Sequence, residues 1–146
     1  MIRATLDTNV LAPGIITRPQ TVNGQVIQAW RENKYSLVLS EAILTELSRT
    51  LSEPHFSARL TAAQIEATVN LFRSEATIVP LLVTVAGVAI HPEDDLILST
   101  ALSGRAHYLV TRDEKLQAKV KEYKGVSIIS PPVFLQRLRE DAKKAA

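Results

Sequence analysis

The stretch Leu6-Asp7-Thr8-Asn9-Val10-Leu11 places an aspartate directly after the apolar run that begins at Ile2 and just before a second apolar pair. Aspartate is disfavoured inside strands. Burying an ionised carboxylate is expensive unless the group is paired or holds a cation. Asp7 therefore either caps the helix that follows or belongs to a site, and the rest of the chain has to decide between the two.

Alternating and β-branched apolar runs predict five strands, at residues 2–6, 35–39, 76–79, 107–110 and 126–129. Helical patterns lie between them. Val26, Ile27 and Trp30 share a face within 24–33, and Ile43, Leu44, Leu47 and Leu51 have amphipathic spacing within 41–51. Thr61 with Gln64 reads as a capping box that opens a helix carrying Ile65, Val69 and Phe72. A helix over 94–103 stops at Gly104, and Ser130-Pro131 opens a last one with Phe134, Leu135 and Leu138 inward. Alternating strands and helices argue for an α/β domain over residues 1–146: a central parallel five-stranded sheet with helices on both faces. Ligands bind such sheets at the carboxyl ends of the strands, which is where Asp7 lies.

Composition narrows the chemistry. Of 146 residues, 46% are hydrophobic and 22% charged, and none is cysteine. That composition suits a globular domain. It excludes disulfides, thiolate metal sites and a cysteine nucleophile. Arg3 and Asp7 break the N-terminal apolar stretch, so it does not read as a signal peptide. The longest apolar segment, Ile78 to Ile90, has 13 residues including Pro80, Thr84 and Gly87. A bilayer span needs about 20. The expectation is a soluble, cytoplasmic protein without a membrane partner. Net charge is only +2, with pI near 9.0, but basic residues cluster. Arg112, Lys115, Lys119, Lys121 and Lys124 form one group, and Arg137, Arg139, Lys143 and Lys144 another. Each is either a solvated face or a phosphate contact.

Three further acidic positions resemble Asp7 in context. Glu46 lies at the margin of an apolar helix face, Asp94 and Asp95 open a helix, and Asp113 follows the strand ending at Val110. Each also has an ordinary reading: Asp94 as a first-turn or N-cap residue, Asp113 as the cap of a short helix, Glu46 as a solvated helix residue. Several carboxylates at one sheet edge repel one another unless a cation sits among them. Mg²⁺ typically takes one or two carboxylates with waters and substrate phosphates, and such an ion activates water and neutralises phosphate charge. Thr8, Asn9, Ser40 and Thr111 are polar neighbours suited to orienting carboxylates or water. His55, His91 and His107 have no ligand-like spacing.

The ordered segments LDTNVL, LSEAILTEL, HPEDDLILSTALSGRAHYLVTRDEKL and VSIISPPVFL resemble PIN-domain proteins, above all the toxin components (VapC-like ribonucleases) of type II toxin–antitoxin systems. The resemblance covers residues 2 to about 138. It implies a PIN fold, cleavage of single-stranded RNA with Mg²⁺ or Mn²⁺, an antitoxin partner and a homodimer. It carries the family's acidic residues onto Asp7, Glu46, Asp95 and Asp113, with Asp94 as the alternate for Asp95. It carries a supporting hydroxyl onto Thr111. Arg112 departs from the glycine common in relatives; it either contacts RNA phosphate or simply changes the loop, and Lys115 is a second candidate for RNA contact.

Two other enzyme readings fit less well. A phosphatase with a nucleophilic aspartate usually has a second acid two residues on, where this chain has Asn9. A receiver-type domain has adjacent acids after its first strand, where Asp7 stands alone. A non-enzymatic alternative is an inactive PIN scaffold that binds RNA or protein.

Overall fold

The structure, a computed structural model, describes residues 1–89 and 91–145. Its sheet has strand order β3-β2-β1-β4-β6-β5. β1 is Arg3–Leu6, β2 Ser36–Leu39, β3 Thr77–Ile78, β4 Tyr108–Val110, β5 Glu122–Tyr123 and β6 Val126–Ile129. β1, β2, β3, β4 and β6 pair in parallel. The α/β sheet is therefore as expected, with one addition: β5 runs antiparallel to β6 on the edge. The Lys124-Gly125 turn joins them with both residues at positive φ, the geometry of a tight hairpin whose twist matches that of its strands. β5 lies between Lys121 and Lys124 without a β-branched or apolar run, so nothing marks it in the sequence.

The helices are α1 (Thr8–Ile16), α2 (Val22–Arg31), α3 (Glu41–Leu51), α4 (Pro54–Ser57), α5 (Ala62–Glu75), α6 (Pro92–Ser103), α7 (Glu114–Lys119) and α8 (Pro131–Ala145). α1 enters the sequence reading only as the helix that Asp7 would cap, because Pro13 and Gly14 interrupt any periodic pattern. Tertiary packing overrides that low propensity: Val10, Leu11 and Ala12 are fully buried. The capping box at Thr61 and Gln64 forms with both bonds present.

Alternate strand residues face opposite layers. Tyr108 on β4 meets Phe134 of α8, which also contacts Tyr35 edge-on. The other face, bearing Val38, packs on α6, which contacts β1, β2 and β4. The approach is close at the end of α6: a Cβ on Gly104 would come within 2.2 Å of Val38 Cγ1. Glycine is required there by space. Trp30 is part of the core, stacked on Phe72.

β1 is central. The chain runs outward from it through β2 to β3, then returns to its other side as β4. The strand order thus switches between β1 and β4, and the crevice at their carboxyl ends is the position such sheets reserve for ligands. Asp7 follows β1 and Thr111–Asp113 follow β4. The Asp7 N–H donates to the Val110 carbonyl across the switch at 2.9 Å.

Candidate active site

Asp7 occupies the N-cap position of α1, but its side chain makes no capping hydrogen bond. It is 5% exposed and instead accepts from two hydroxyls. Thr111 Oγ1 donates to Asp7 Oδ2 at 2.9 Å, and Thr8 Oγ1 approaches Oδ1 at 3.4 Å. Thr8 also reaches Glu46 Oε1 at 3.1 Å, so one hydroxyl proton is shared between two carboxylates on different elements. The Asp7 carboxylate thus bonds hydroxyls in place of a cap, and one of those hydroxyls also serves Glu46.

Thr111 is the hub of the crevice. Its hydroxyl donates to Asp7 and accepts from Asn9 Nδ2 at 3.2 Å and from the Asp113 N–H at 3.1 Å. Both lone pairs and the proton are in use. Asn9 accepts the Arg112 N–H at 3.1 Å through its other amide atom. Position 9 needs a donor and an acceptor together, and a carboxylate cannot supply the donor. Gln117 Nε2 ties the Thr111 carbonyl at 2.9 Å, fixing the loop from below.

Asp113 does cap α7: its Oδ1 accepts from the N–H groups of Lys115 and Leu116. Capping and site membership are compatible here, because Asp113 lies close enough to Asp94 to push its carboxyl upward. The Asp94 carboxyl is raised to about 6, first by burial, then by the charges of Asp7 and Asp113, with Glu93 adding to them and His91 opposing. Burial also raises Glu46, with repulsion from Asp7 and Glu93 added and the Thr8 hydroxyl and Arg49 acting against it. Asp7 is raised by burial; the hydroxyls of Thr111 and Thr8 oppose that rise. The Thr8 and Asn9 amides oppose it too, near enough to act but without the alignment of a capping bond. Among the described residues no lysine or arginine forms a salt bridge with any of these acids.

The two adjacent aspartates at the start of α6 part company. Asp95 is 7% exposed, and each of its carboxylate oxygens accepts a backbone N–H, from Gly87 at 2.9 Å and from Ala89 at 2.8 Å. It is committed to that loop, whereas Asp94 shares the field of Asp7 and Asp113. Ser40, expected near the acids, caps α3 and exchanges a 2.8 Å bond with Thr100. Glu93 was not anticipated, although its place in the first turn of α6 beside two aspartates was a visible signal.

Arg112 and Lys115 are exposed beside the crevice. The remaining basic residues do not all join them. Lys124 sits in the hairpin turn at the amino end of β6, and α8 carries Arg137 and Lys144 to a cavity shared with Ile2 and His107, also at the amino edge.

Among the described residues, no three Asp, Glu or His side chains are arranged to grip one ion directly. The donor chemistry fits a hydrated divalent cation better than an all-protein cage: hard carboxylate oxygens, none in a salt bridge with a lysine or arginine among the described residues, with hydroxyls supporting Asp7 and Glu46. No helix among the described residues is long and apolar enough to cross a membrane.

A mostly parallel sheet with a carboxylate crevice at the β1/β4 switch defines the class of fold. The PIN domain family matches residues 3–115, and the chain belongs to that family. No curated protein matches the chain. Among solved structures it is similar to VapBC2 from Rickettsia felis bound to a DNA fragment from their promoter. That match has 17% identity and a TM-score of 0.59, covering 88% of this chain and 98% of that one. It is similar to VapBC-1 from nontypeable Haemophilus influenzae, with 17% identity and a TM-score of 0.60 over 90% of this chain and 99% of that one. FitAcB from Neisseria gonorrhoeae is a third, with 17% identity and a TM-score of 0.54 over 88% of this chain and 97% of that one. At that identity the structures attest the fold.

Proposed function

We propose that the protein is a metal-dependent endoribonuclease that hydrolyses phosphodiester bonds of single-stranded RNA, and that it is the toxin of a toxin–antitoxin pair. The observation that carries the reading is the mutually repelling, cation-free set Asp7, Glu46, Asp94 and Asp113 at the sheet's switch point. Burial raises Asp7, Glu46 and Asp94, and repulsion between acids adds to the rise at Glu46 and Asp94, as expected of groups that await a cation. The third acid of the set is assigned to Asp94, whose carboxyl lies in the field of Asp7 and Asp113, whereas the Asp95 carboxylate faces the Gly87 and Ala89 amides.

Bound there, Mg²⁺ or Mn²⁺ supplies Lewis acidity toward a phosphodiester and lowers the pKa of water. The chain's own residues do the rest. Asp7, Glu46, Asp94 and Asp113 provide the negative charge that retains the ion. Thr111 fixes the orientation of Asp7, and Thr8 holds Asp7 and Glu46 at a constant separation. Asn9 clamps the loop so that Arg112 and Lys115 stand beside the carboxylates, where an RNA phosphate would lie. The antitoxin partner is supported by the VapBC and FitAcB neighbours, and a homodimer by the family resemblance.

The test is cleavage of single-stranded RNA in Mn²⁺ or Mg²⁺, with and without EDTA, by wild type and by Asp7→Asn. A loss on the order of 10²-fold in a folded variant is expected, since even partners that merely support a ligand are worth about 10- to 100-fold. Wild-type rates in Asp7→Asn would sink the mechanism. An inactive wild type, with metal and co-purifying inhibitor controlled, would favour an inactive scaffold that binds RNA or protein.

A further inference from the structure

Between β3 and α6, residues 82–89 form a strap along α6 that belongs to no strand. Its backbone N–H groups need partners, and side chains of one helix stripe supply them. Ser103 Oγ accepts from Leu82 and Val83 at 3.0 and 3.1 Å. Ser99 Oγ accepts from Val85 at 2.9 Å and donates to the Asp95 carbonyl. Asp95 accepts from Gly87 and Ala89. Positions 95, 99 and 103 are spaced by four, one above another on the helix. From Val83 to Ala89 every second residue is bonded, although the strap bends at Gly87, whose φ is 72°. Strap numbers rise as helix numbers fall, so the two run antiparallel. Val85 and Ala89 are buried beneath it.

Asp95 closes this ladder at its functional end. The strap finishes two residues before His91, the N-cap of α6. The first turn then follows, with the Asp94 N–H donating to the His91 carbonyl at 3.0 Å. On the helix's other flank Thr100 bonds Ser40, the cap of the helix that carries Glu46. α6 is thus held on two sides, and the hold nearest the crevice is Asp95.

We propose that Asp95 is a positioning residue: its carboxylate pins the strap to the first turn of α6 and so fixes the direction in which Asp94 enters the crevice. The proposal rests on the nuclease reading for the role of Asp94, but the pinning itself stands on the hydrogen bonds.

The experiment compares Asp95→Asn, Asp95→Ala and Asp94→Asn by amide hydrogen exchange and by Mn²⁺ titration. Asparagine keeps one acceptor and alanine none. Exchange at Gly87, Ala89 and Asp94 should therefore speed up in the order wild type, Asn, Ala. The Ala variant should change by on the order of 10-fold or more, the effect of losing hydrogen bonds to a charged group. Exchange in β2 and α3 should not change. Mn²⁺ affinity should fall in the same graded order, roughly 10-fold for Asn, and RNA turnover should fall with little change in KM. Asp94→Asn should lose more Mn²⁺ affinity while keeping the Gly87 and Ala89 amides protected. If Asp95→Ala does not fold, Asp95→Asn alone carries the comparison. Unchanged protection at Gly87 and Ala89 would overturn the proposal, as would a loss there that leaves the Asp94 amide protected. Mn²⁺ loss in Asp95→Asn as severe as in Asp94→Asn would make Asp95 a ligand and equally overturn it. Wild type that neither binds Mn²⁺ nor cleaves RNA would end the nuclease reading alone; the exchange at Gly87, Ala89 and Asp94 would still decide the pinning.

Discussion

At the carboxyl edge of the sheet, Asp7 acts on Glu46 and on Asp94, Asp113 acts on Asp94, and the partners of Asp7 and Glu46 are hydroxyls. At the amino edge the two signs are mixed. His107 Nδ1 accepts the Arg3 N–H at 3.0 Å, Arg3 Nε donates to the Arg105 carbonyl at 2.8 Å, and Asp141 of α8 acts on His107 from the far side. Both edges are built from the same strands, so the contrast is not imposed by the fold. An edge that only has to be stable satisfies its charges internally. Among the described residues no lysine or arginine forms a salt bridge with the carboxylates of the other edge; that edge is less stable by itself, and a cation bound there would stabilise it.

The sharpest way to break this comparison is to neutralise one acid on each edge. Asp94→Asn should lower RNA cleavage on the order of 10²-fold, by the same reasoning as for Asp7. Asp141→Asn should leave cleavage within about twofold, since surface changes away from a site are usually near neutral. Equal losses would mean that activity tracks general stability.

Thr111→Val comes next. It removes the donor to Asp7 and the acceptor for Asn9 and for the Asp113 N–H in a fully buried place. Urea unfolding should show a loss of about 2–3 kcal/mol, whereas Thr111→Ser should recover most of it. A neutral Thr111→Val would mean that the hub carries no energy.

The pH dependence has opposite signs on the two edges. Asp94 has a folded pKa raised above its ordinary 3.8, to about 6. Its ionisation therefore penalises the folded state, fully above pH 6, and the penalty is relieved as pH falls from 6 toward 4. Allowing for solvent screening, the gain is on the order of 1–2 kcal/mol, and Mg²⁺ should abolish it by favouring the charged form. His107 is lowered, first by burial and then by Arg3. Its neutral form is favoured in the fold, so its contribution is present above pH 6.5 and lost as pH falls below that value. Metal-free melts from pH 7 to pH 4.5 should show Asp94→Asn flattening the acid-side gain and His107→Gln flattening the acid-side loss. Superimposable curves for all three proteins would remove the electrostatic contrast.

The smallest effect concerns RNA. Each single-strand phosphate contact contributes about 0.7 to the slope of log affinity against log salt. Arg112→Ala and Lys115→Ala should each reduce the slope by up to that amount, whereas Lys144→Ala, at the amino edge, should not. A loss at Lys144 equal to that at Arg112 would spread the RNA path across both edges.

What the sequence disclosed, and what it hid, follows from how local the cause was. Five parallel strands were legible because their runs are long or continuous with the core, and Asp7 was legible because an acid directly after a strand is locally unfavourable. The capping box at Thr61 was equally local. By contrast, α1 was hidden by Pro13 and Gly14, whose local preference yields to the burial of Val10, Leu11 and Ala12. The different surroundings of Asp94 and Asp95 were hidden too: Asp95 accepts from the amides of Gly87 and Ala89, which only the tertiary course of the strap brings to it. Ser40 looked like a neighbour of the acids because it follows a strand; its partner, Thr100, lies 60 residues away.

The contrast between the edges is tested most directly by titrating the metal-free protein with substoichiometric Mn²⁺ and recording paramagnetic broadening of its amide resonances. The account predicts that signals of Thr8, Asp94, Thr111 and Asp113 vanish first, while those of Arg3, His107 and Val126 persist. Broadening spread over both edges, or centred on acids elsewhere such as Glu140 and Asp141, would contradict it.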